Sequence, residues 1–283
     1  MVGGGTLVDM PRHRGRFRSA LVVLLAVAAL AGCSGDDGPE AASTTTREAA
    51  PTEPLRILLV NDDGIVNPAI DVMLGLLAAE DDVEVTVVAP AEERSGSSDR
   101  LTDGGAPYEK ATTPAGVPGY SVDGFPADAV AVGLDDLGLD PHLVLSGVNP
   151  GQNIGPIAPA SGTVGVGRTA IRRGVPALAV SAGLELDDEQ FAFAAELALD
   201  WIAEHRAALL DGTHQTDTVT SINVPACPVS AMGELQAVPR ATEIPAGANV
   251  FASSCDLRDP APATDVAALL AGYPAITQVP ADL

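Results

Sequence analysis

Short runs of apolar residues recur along the chain from Leu55 onward, and each run is long enough for one β-strand. "LRILLVN", "VEVTVVAP" and "PALAVSAG" are almost continuously apolar and rich in β-branched residues. Such runs are typical of strands that are buried on both faces. The pattern predicts strands at 55–61, 83–90, 142–149, 176–183 and 218–225.

Between the predicted strands, apolar residues recur three and four positions apart, which is the spacing of one helix face. This spacing predicts helices at 68–80, 126–137, 163–174, 188–210 and 264–274, and a hairpin-like stretch lies at 105–124. Strands that alternate with helices predict an α/β fold with a mostly parallel sheet and helices on both faces. The proline-rich region after Ala226 has weak periodicity, so we expect a small irregular C-terminal extension there.

Residues 1–33 have the pattern of a secretory leader. Four arginines, of which Arg18 is the last, precede an apolar run from Ala20 to Ala31. A membrane-spanning helix needs about 20 apolar residues, so this shorter run predicts a cleaved signal peptide. The leader ends in "LAGC", which resembles the bacterial lipobox and implies lipidation of Cys33. Ordinary cleavage beside an incidental cysteine is the alternative.

The leader is followed by residues 34–54, which contain no large apolar side chain and are predicted to be a disordered linker. The folded domain is then expected at 55–283. A lipidated Cys33 would anchor this domain to the bacterial cell membrane on its extracytoplasmic side.

The chain is strongly acidic, with 15 Lys and Arg against 38 Asp and Glu and a formal net charge of −23. Nucleic-acid backbones are bound by clustered cationic side chains, so this balance argues against a nucleic-acid duplex as the main partner. The charge is compatible with a cation-dependent site. Solubility or adaptation to salt is the alternative explanation for most of the carboxylates.

Two cysteines remain once Cys33 is assigned to the lipid anchor, and these are Cys227 and Cys255. An even pair in an oxidising compartment predicts a disulfide. Two buried free thiols are the alternative. Neither cysteine has a metal-site spacing around it.

Oxygen donors follow three of the predicted strands at their carboxyl ends. The first strand ends in Asn61, Asp62 and Asp63, the second leads to Ser95, and the fourth ends near Asn149. Ligands of open α/β sheets bind at this edge, and a donor set of oxygen atoms suits Mg²⁺, Mn²⁺ or Ca²⁺. Taken alone, an Asp-Asp-Gly at a strand end is more often a turn or a helix cap.

The segment "PASGTVGVG" (159–167) is a candidate anion site. Small residues open a helix there, so backbone N–H groups and the hydroxyls of Ser161 and Thr163 are expected near an anion. Glycines that allow close helix–sheet packing, with a hydroxyl cap, are the alternative. A cation site and an anion site on one sheet edge together suggest phosphate chemistry.

Five segments, in this order, resemble the SurE family of stationary-phase survival phosphatases. They are "RILLVNDDGI", "VTVVAPAEERSGSSDRLT", "LVLSGVNPGQNIG", "SGTVGVGRTAIRRGVPALAVS" and "INVP". The resemblance implies a Rossmann-like fold and a divalent-metal-dependent phosphomonoesterase that acts on nucleoside monophosphates (a 5′/3′-nucleotidase). A non-catalytic lipoprotein that binds a nucleotide or another anion is the alternative function.

The resemblance also implies roles for individual residues. The positions that match the family's metal ligands are Asp62, Asp63, Ser95 and Asn149. The positions that match the surroundings of its phosphate pocket are Asn61, Asn153, Ser161, Gly162 and Thr163. By hypothesis, Asp62 orients or deprotonates the attacking water, with Asp63 beside it, and Asn153 stabilises the developing charge.

Some features depart from the family pattern or extend it. Phe125 in "GFPAD" replaces a hydroxyl residue and is expected near the pocket, and Arg168 is a further candidate to approach the phosphate. The tail is shorter than the family's dimerisation arm, so a monomer and a homodimer both stay open. A Cys227–Cys255 disulfide would then cross-link the tail locally, in place of an exchange of arms between two subunits.

Overall fold

The structure, a computed structural model, describes residues 53–184 and 188–282. Within these residues the backbone forms one nine-stranded sheet. The strands are β1 (Leu55–Val60), β2 (Val83–Pro90), β3 (Tyr108–Thr112), β4 (Pro118–Val122), β5 (Leu143–Pro150), β6 (Ala177–Ala182), β7 (Thr218–Asn223), β8 (Gln236–Ala237) and β9 (Ala275–Pro280). Their spatial order is β3-β4-β2-β1-β5-β6-β7-β9-β8.

The helices fall between the strands, as the sequence pattern predicts. They are α1 (Ala69–Leu77), α2 (Pro126–Ala131), α3 (Gly162–Ile171), α4 (Asp188–Leu210) and α5 (Asp265–Ala271). A π-helical turn, Val132–Asp136, continues α2, and short 3-10 turns lie at Gly155–Ala160 and Val229–Ala231.

Two hydrophobic cores lie on opposite faces of the sheet. One packs side chains of α1 and α4, such as Met73 and Trp201, against Leu59 of β1. The other packs Val130 of α2 and Val166 of α3 against the opposite face. The central strands are covered on both sides, which explains why they are almost continuously apolar. The predicted α/β fold with helices on both faces is confirmed.

The order of the central strands places a topological switch point beside β1. The chain passes from β1 to β2 on one side and later returns to β5 on the other, and both strands are parallel to β1. In open α/β sheets the ligand crevice forms where the strand order reverses, outside the carboxyl ends of the strands. This is the edge at which Asp62 and Asn149 lie.

The C-terminal part is more regular than its sequence pattern suggests. After α5 the chain forms β9, which pairs antiparallel with β7 and parallel with the two-residue strand β8. A third hydrophobic cluster, with Ile154, Val266 and Tyr273, packs this region beneath the loop after β5. The expectation of an irregular extension therefore holds for the loop between β7 and α5, but not for β9.

The predicted leader, Cys33 and residues 34–52 of the predicted linker lie outside the described residues. Among the residues that are described, no helix is long and apolar enough to cross a membrane.

Candidate active site

Asp62 follows β1 directly and lies against the N-terminus of α3. Its side chain is 2% exposed, and its Oδ1 accepts a hydrogen bond of 3.0 Å from the Thr163 hydroxyl. Ser161 caps the helix by accepting from the Val164 N–H at 3.1 Å. The positive end of a helix favours a negative charge, so α3 stabilises the Asp62 carboxylate. Burial nevertheless raises the pKa of Asp62, and the Thr163 hydrogen bond opposes that rise.

Gly162 is required where it stands because the carboxylate of Asp62 occupies the adjoining space. A Cβ at this position would lie 2.7 Å from Oδ2 of Asp62 and 2.9 Å from its Cβ. Any side chain here would push Asp62 away from the helix terminus. The sequence interpretation expected an anion at this terminus, and in the structure the carboxylate of Asp62 lies beside it.

Asp63 is half-buried and its environment disfavours the charged form. Oδ2 is buried without a hydrogen-bond partner among the described residues. Burial, then the charge of Asp62, then the charge of Glu93 raise the pKa of Asp63 to about 7. Ionising a carboxyl group beside other negative charges and away from water costs free energy at neutral pH. A nearby cation would offset that cost.

Glu93 is an acidic group that the sequence interpretation missed. Its charge raises the pKa values of both Asp62 and Asp63, and its Oε1 accepts from the Ser95 N–H at 2.8 Å. Hydrogen bonding from Ser95, first from its side chain and then from its backbone N–H, lowers the pKa of Glu93 itself. The residue follows β2 at the same sheet edge, and its position in "APAEERS" was the available signal.

Amide side chains complete the oxygen donors around the aspartates. Asn149 donates from Nδ2 to the Gly151 carbonyl at 2.8 Å, which leaves its Oδ1 as an acceptor. Asn61 donates from Nδ2 to the Gly64 carbonyl at 3.1 Å, and its Oδ1 is buried without a partner among the described residues. Gly147, with φ of 119°, lies at the register shift between β5 and β6 that immediately precedes Asn149.

These donors fit a hard divalent cation. In residues 53–184 and 188–282 no three His, Cys, Asp or Glu side chains converge on one point. A cation would therefore rely on the two aspartates together with hydroxyl and amide oxygens. Such all-oxygen sets suit Mg²⁺, Mn²⁺ or Ca²⁺. The unpartnered Oδ2 of Asp63 is the observation that favours this fit.

Asn153 connects the loop after β5 to three other elements. Its Nδ2 donates to the Thr163 hydroxyl at 3.2 Å and to the Ser181 hydroxyl at 2.9 Å. Its backbone N–H donates to Oδ1 of Asn223 at 2.7 Å. Asn223 belongs to the segment "INVP", to which sequence reasoning assigned no role. Asn223 is the last residue of β7, at the sheet edge where Asn153 lies, and its Oδ1 therefore reaches the Asn153 N–H.

A cleft of about 320 Å³ opens beside these residues. Of the residues predicted from the sequence, five line it, namely Asp62, Ser95, Asn149, Asn153 and Ser161. Asn61, Asp63, Gly162 and Thr163 are not in its lining. A larger groove of about 1000 Å³ between α4 and β9 contains none of the predicted site residues.

Two further candidates lie elsewhere. Arg168 is 5% exposed and forms an ion pair with Asp99 at 3.3 Å, while its Nε donates to the Ala281 carbonyl at 3.0 Å. Its guanidinium therefore holds a loop and the C-terminal strand together and does not line the cleft. Phe125 is also absent from the cleft lining, and its ring lies 4.5 Å from the Arg100 guanidinium carbon.

Cys227 and Cys255 are joined by a disulfide in the structure. Cys227 lies four residues after β7 and is fully buried. The bridge encloses the irregular loop that precedes α5.

Comparison with known proteins agrees with this geometry. The family described as "Survival protein SurE" matches residues 57–244. A protein of Carboxydothermus hydrogenoformans named 5′-nucleotidase SurE is 38% identical over 180 residues, which is 62% of this chain and 66% of that protein. A 5′/3′-nucleotidase SurE of Serratia proteamaculans is 34% identical over 242 residues, which is 81% of this chain and 91% of that protein.

Among solved structures, the SurE protein from Aquifex aeolicus superimposes with a TM-score of 0.62 at 26% identity, covering 81% of this chain and 94% of that one. The expectation of a phosphoric monoester hydrolase is confirmed at the level of the family, because these relatives are named nucleotidases. The family match covers most of the described residues, and the chain belongs to the SurE family.

Proposed function

We propose that the protein hydrolyses nucleoside 5′- and 3′-monophosphates to nucleosides and phosphate. The observation that carries this proposal is the buried Asp62, which lies at the switch point of the sheet and borders a cleft with Asn149 and Ser95. The relatives named above are 5′-nucleotidases, and the Serratia relative is a 5′/3′-nucleotidase. A cleft of about 320 Å³ is in the size range of small-molecule sites.

We infer that Asp62, Asp63, Ser95 and Asn149 hold one divalent cation, either Mg²⁺, Mn²⁺ or Ca²⁺. A bound divalent cation supplies positive charge that polarises the phosphoryl group and favours ionisation of the attacking water. The protein contributes a fixed set of donors, because the Thr163 hydroxyl orients Asp62 and the Gly151 carbonyl orients Asn149. Oriented donors need little reorganisation when charge develops.

The proton of the attacking water is assigned to Asp62. Its Oδ1 is engaged by Thr163, and it is the only one of the two aspartates in the cleft lining. Asn153 and Ser161 line the same cleft and are the polar groups placed to orient the phosphate. Asn153 is itself held by Thr163, Ser181 and Asn223, so its position is fixed before substrate arrives.

We also propose that the enzyme acts outside the cytoplasmic membrane, anchored through a lipid on Cys33. This follows from the leader and lipobox pattern of residues 1–33.

Phosphate release from AMP by the purified protein, with each of the three cations supplied in turn, tests the activity. We expect turnover with at least one cation and its loss on chelation with EDTA. Asp62→Asn should reduce turnover by at least about a thousandfold, since it removes both a charge and the proton acceptor. Asp103→Asn, at an exposed aspartate outside the cleft, is the control. A protein that binds AMP but releases no phosphate under any cation would instead be a non-catalytic binding lipoprotein.

A further inference from the structure

Two large apolar side chains flank the cleft and are exposed to solvent. Leu184 is 51% exposed and Phe251 is 44% exposed, and both belong to the cleft lining. Single exposed apolar side chains are common on protein surfaces, but two of them at the mouth of one polar cleft offer a contact surface to a ligand with an apolar face. Flat heteroaromatic rings are the groups that such side chains accommodate best.

Leu184 is held against the loop that carries Asn149. A Cβ on Gly151 would lie 3.2 Å from Cδ2 of Leu184, so the leucine packs directly on the glycine backbone. The preceding Gly183 packs on Ala226, since a Cβ there would lie 2.6 Å from the Ala226 Cα. Leu184 is therefore fixed between the loop after β5 and the segment that follows β7.

Phe251 is brought to the same segment by the disulfide. Cys255 lies four residues after Phe251 and is bonded to Cys227, the residue next to Ala226. The loop is also docked on the end of α5, where Ser254 donates to the Leu270 carbonyl at 2.9 Å. Without the bridge, the loop that carries Phe251 would lose its cross-link to the segment that follows β7.

A third observation indicates that a polar ligand reaches this part of the cleft. Gln152 lines the cleft and is 1% exposed, yet neither its Oε1 nor its Nε2 has a hydrogen-bond partner among the described residues. Leaving both atoms of a buried amide unpaired is costly. An amide offers one acceptor and two donors, which suit the polar edge of a nucleobase.

We propose that Phe251 and Leu184 form a nucleobase clamp, with Gln152 contacting the edge of the base, and that the Cys227–Cys255 disulfide positions Phe251 in it. This proposal rests on the proposed nucleotidase function. Phe251 lies beyond residues 57–244, which the family model matches. The effect of the clamp is to favour nucleotides over phosphate esters that lack a base.

The test compares AMP with ribose 5-phosphate, which has the same phosphate and sugar but no base. The measured quantity is kcat/KM for AMP divided by kcat/KM for ribose 5-phosphate. We expect Phe251→Ala to lower this ratio about tenfold, because the loss of stacking on a base usually has an effect of this size. Leu184→Ala should lower the same ratio less. Phe251→Tyr should preserve it, as should Tyr108→Ala at an exposed aromatic of strand β3 outside the cleft.

The disulfide is tested by Cys227→Ser/Cys255→Ser, which should lower the ratio in the same direction as Phe251→Ala. Equilibrium titration of AMP and ribose 5-phosphate into metal-free protein gives a second readout, and only AMP affinity should depend on Phe251. A ratio that Phe251→Ala leaves unaltered, or an equal loss for both substrates, would overturn the clamp while leaving the nucleotidase function standing. If the unmodified protein hydrolyses neither substrate, the nucleotidase function itself fails.

Discussion

The Thr163 hydroxyl donates a 3.0 Å hydrogen bond to Oδ1 of Asp62, joining residues 101 positions apart. One residue follows the first strand and the other begins a helix on the far side of the switch point. This contact orients the carboxylate to which we assign both cation binding and proton transfer.

Thr163→Val should lower kcat/KM for AMP about tenfold, since the valine retains the shape but removes the donor to a buried carboxylate. Thr163→Ser retains the hydroxyl and should keep most of the activity. Both variants are compared by phosphate release at saturating cation. Equal activity in the valine and serine variants would contradict the role given to this hydrogen bond.

Gly162→Ala should impair cation binding, although it adds only one methyl group. The added Cβ would lie 2.7 Å from Oδ2 of Asp62, so the carboxylate must move. We expect Mn²⁺ affinity, measured by calorimetry, to fall at least about tenfold.

The matched control for Gly162→Ala is Gly75→Ala in helix α1, where an added Cβ meets nothing within 4 Å. That change should leave Mn²⁺ affinity unaltered and stabilise the fold by ~0.5–1 kcal/mol, because alanine is the better helix former. Similar cation affinities for the two alanine variants would show that the space beside Gly162 is not limiting.

Asp63→Asn should stabilise the metal-free protein at high pH. The pKa of Asp63 is about 7 in the folded protein and about 4 in an unfolded chain. The folded state therefore binds the proton more tightly, and the free energy of unfolding falls as pH rises from 4 through 7. Asparagine removes this penalty, so we expect a gain of ~1–3 kcal/mol at pH 8 that disappears by pH 4.

The measurement is urea unfolding of EDTA-treated protein at both pH values. With saturating cation at pH 8, the unaltered protein should become more stable than Asp63→Asn, because the cation stabilises the protein that retains the Asp63 carboxylate. A gain of the same size at both pH values would show that burial of the charge is not its cause.

Cys33→Ser should release the protein from the membrane when it is expressed in a bacterium with lipoprotein processing. The unaltered chain is expected in the membrane fraction, with a mass that includes the acyl chains on Cys33. Fractionation and mass spectrometry measure both. Recovery of the unaltered protein without lipid would rule out the anchor. It would not affect the Cys227–Cys255 disulfide, which does not involve Cys33.

The strands and helices were predictable because their apolar spacing is set by local geometry. β1 is buried on both faces apart from Arg56, and its other residues are accordingly apolar. β9 was missed because "AITQVP" is a short segment bounded by prolines, and the polar Thr277 takes one of its buried positions. Only its pairing with β7 makes such a segment a strand.

The sequence by itself determined that Asp62, Asn149 and Ser95 share one edge of the sheet, because parallel strands end together and each motif follows a strand. The tertiary structure decided what each group contacts. It placed the carboxylate of Asp62 against the N-terminus of α3, drew Arg168 into an ion pair with Asp99, and brought Phe251 to the cleft. These outcomes depend on packing and charge between segments far apart in the chain, and no local pattern carries that information.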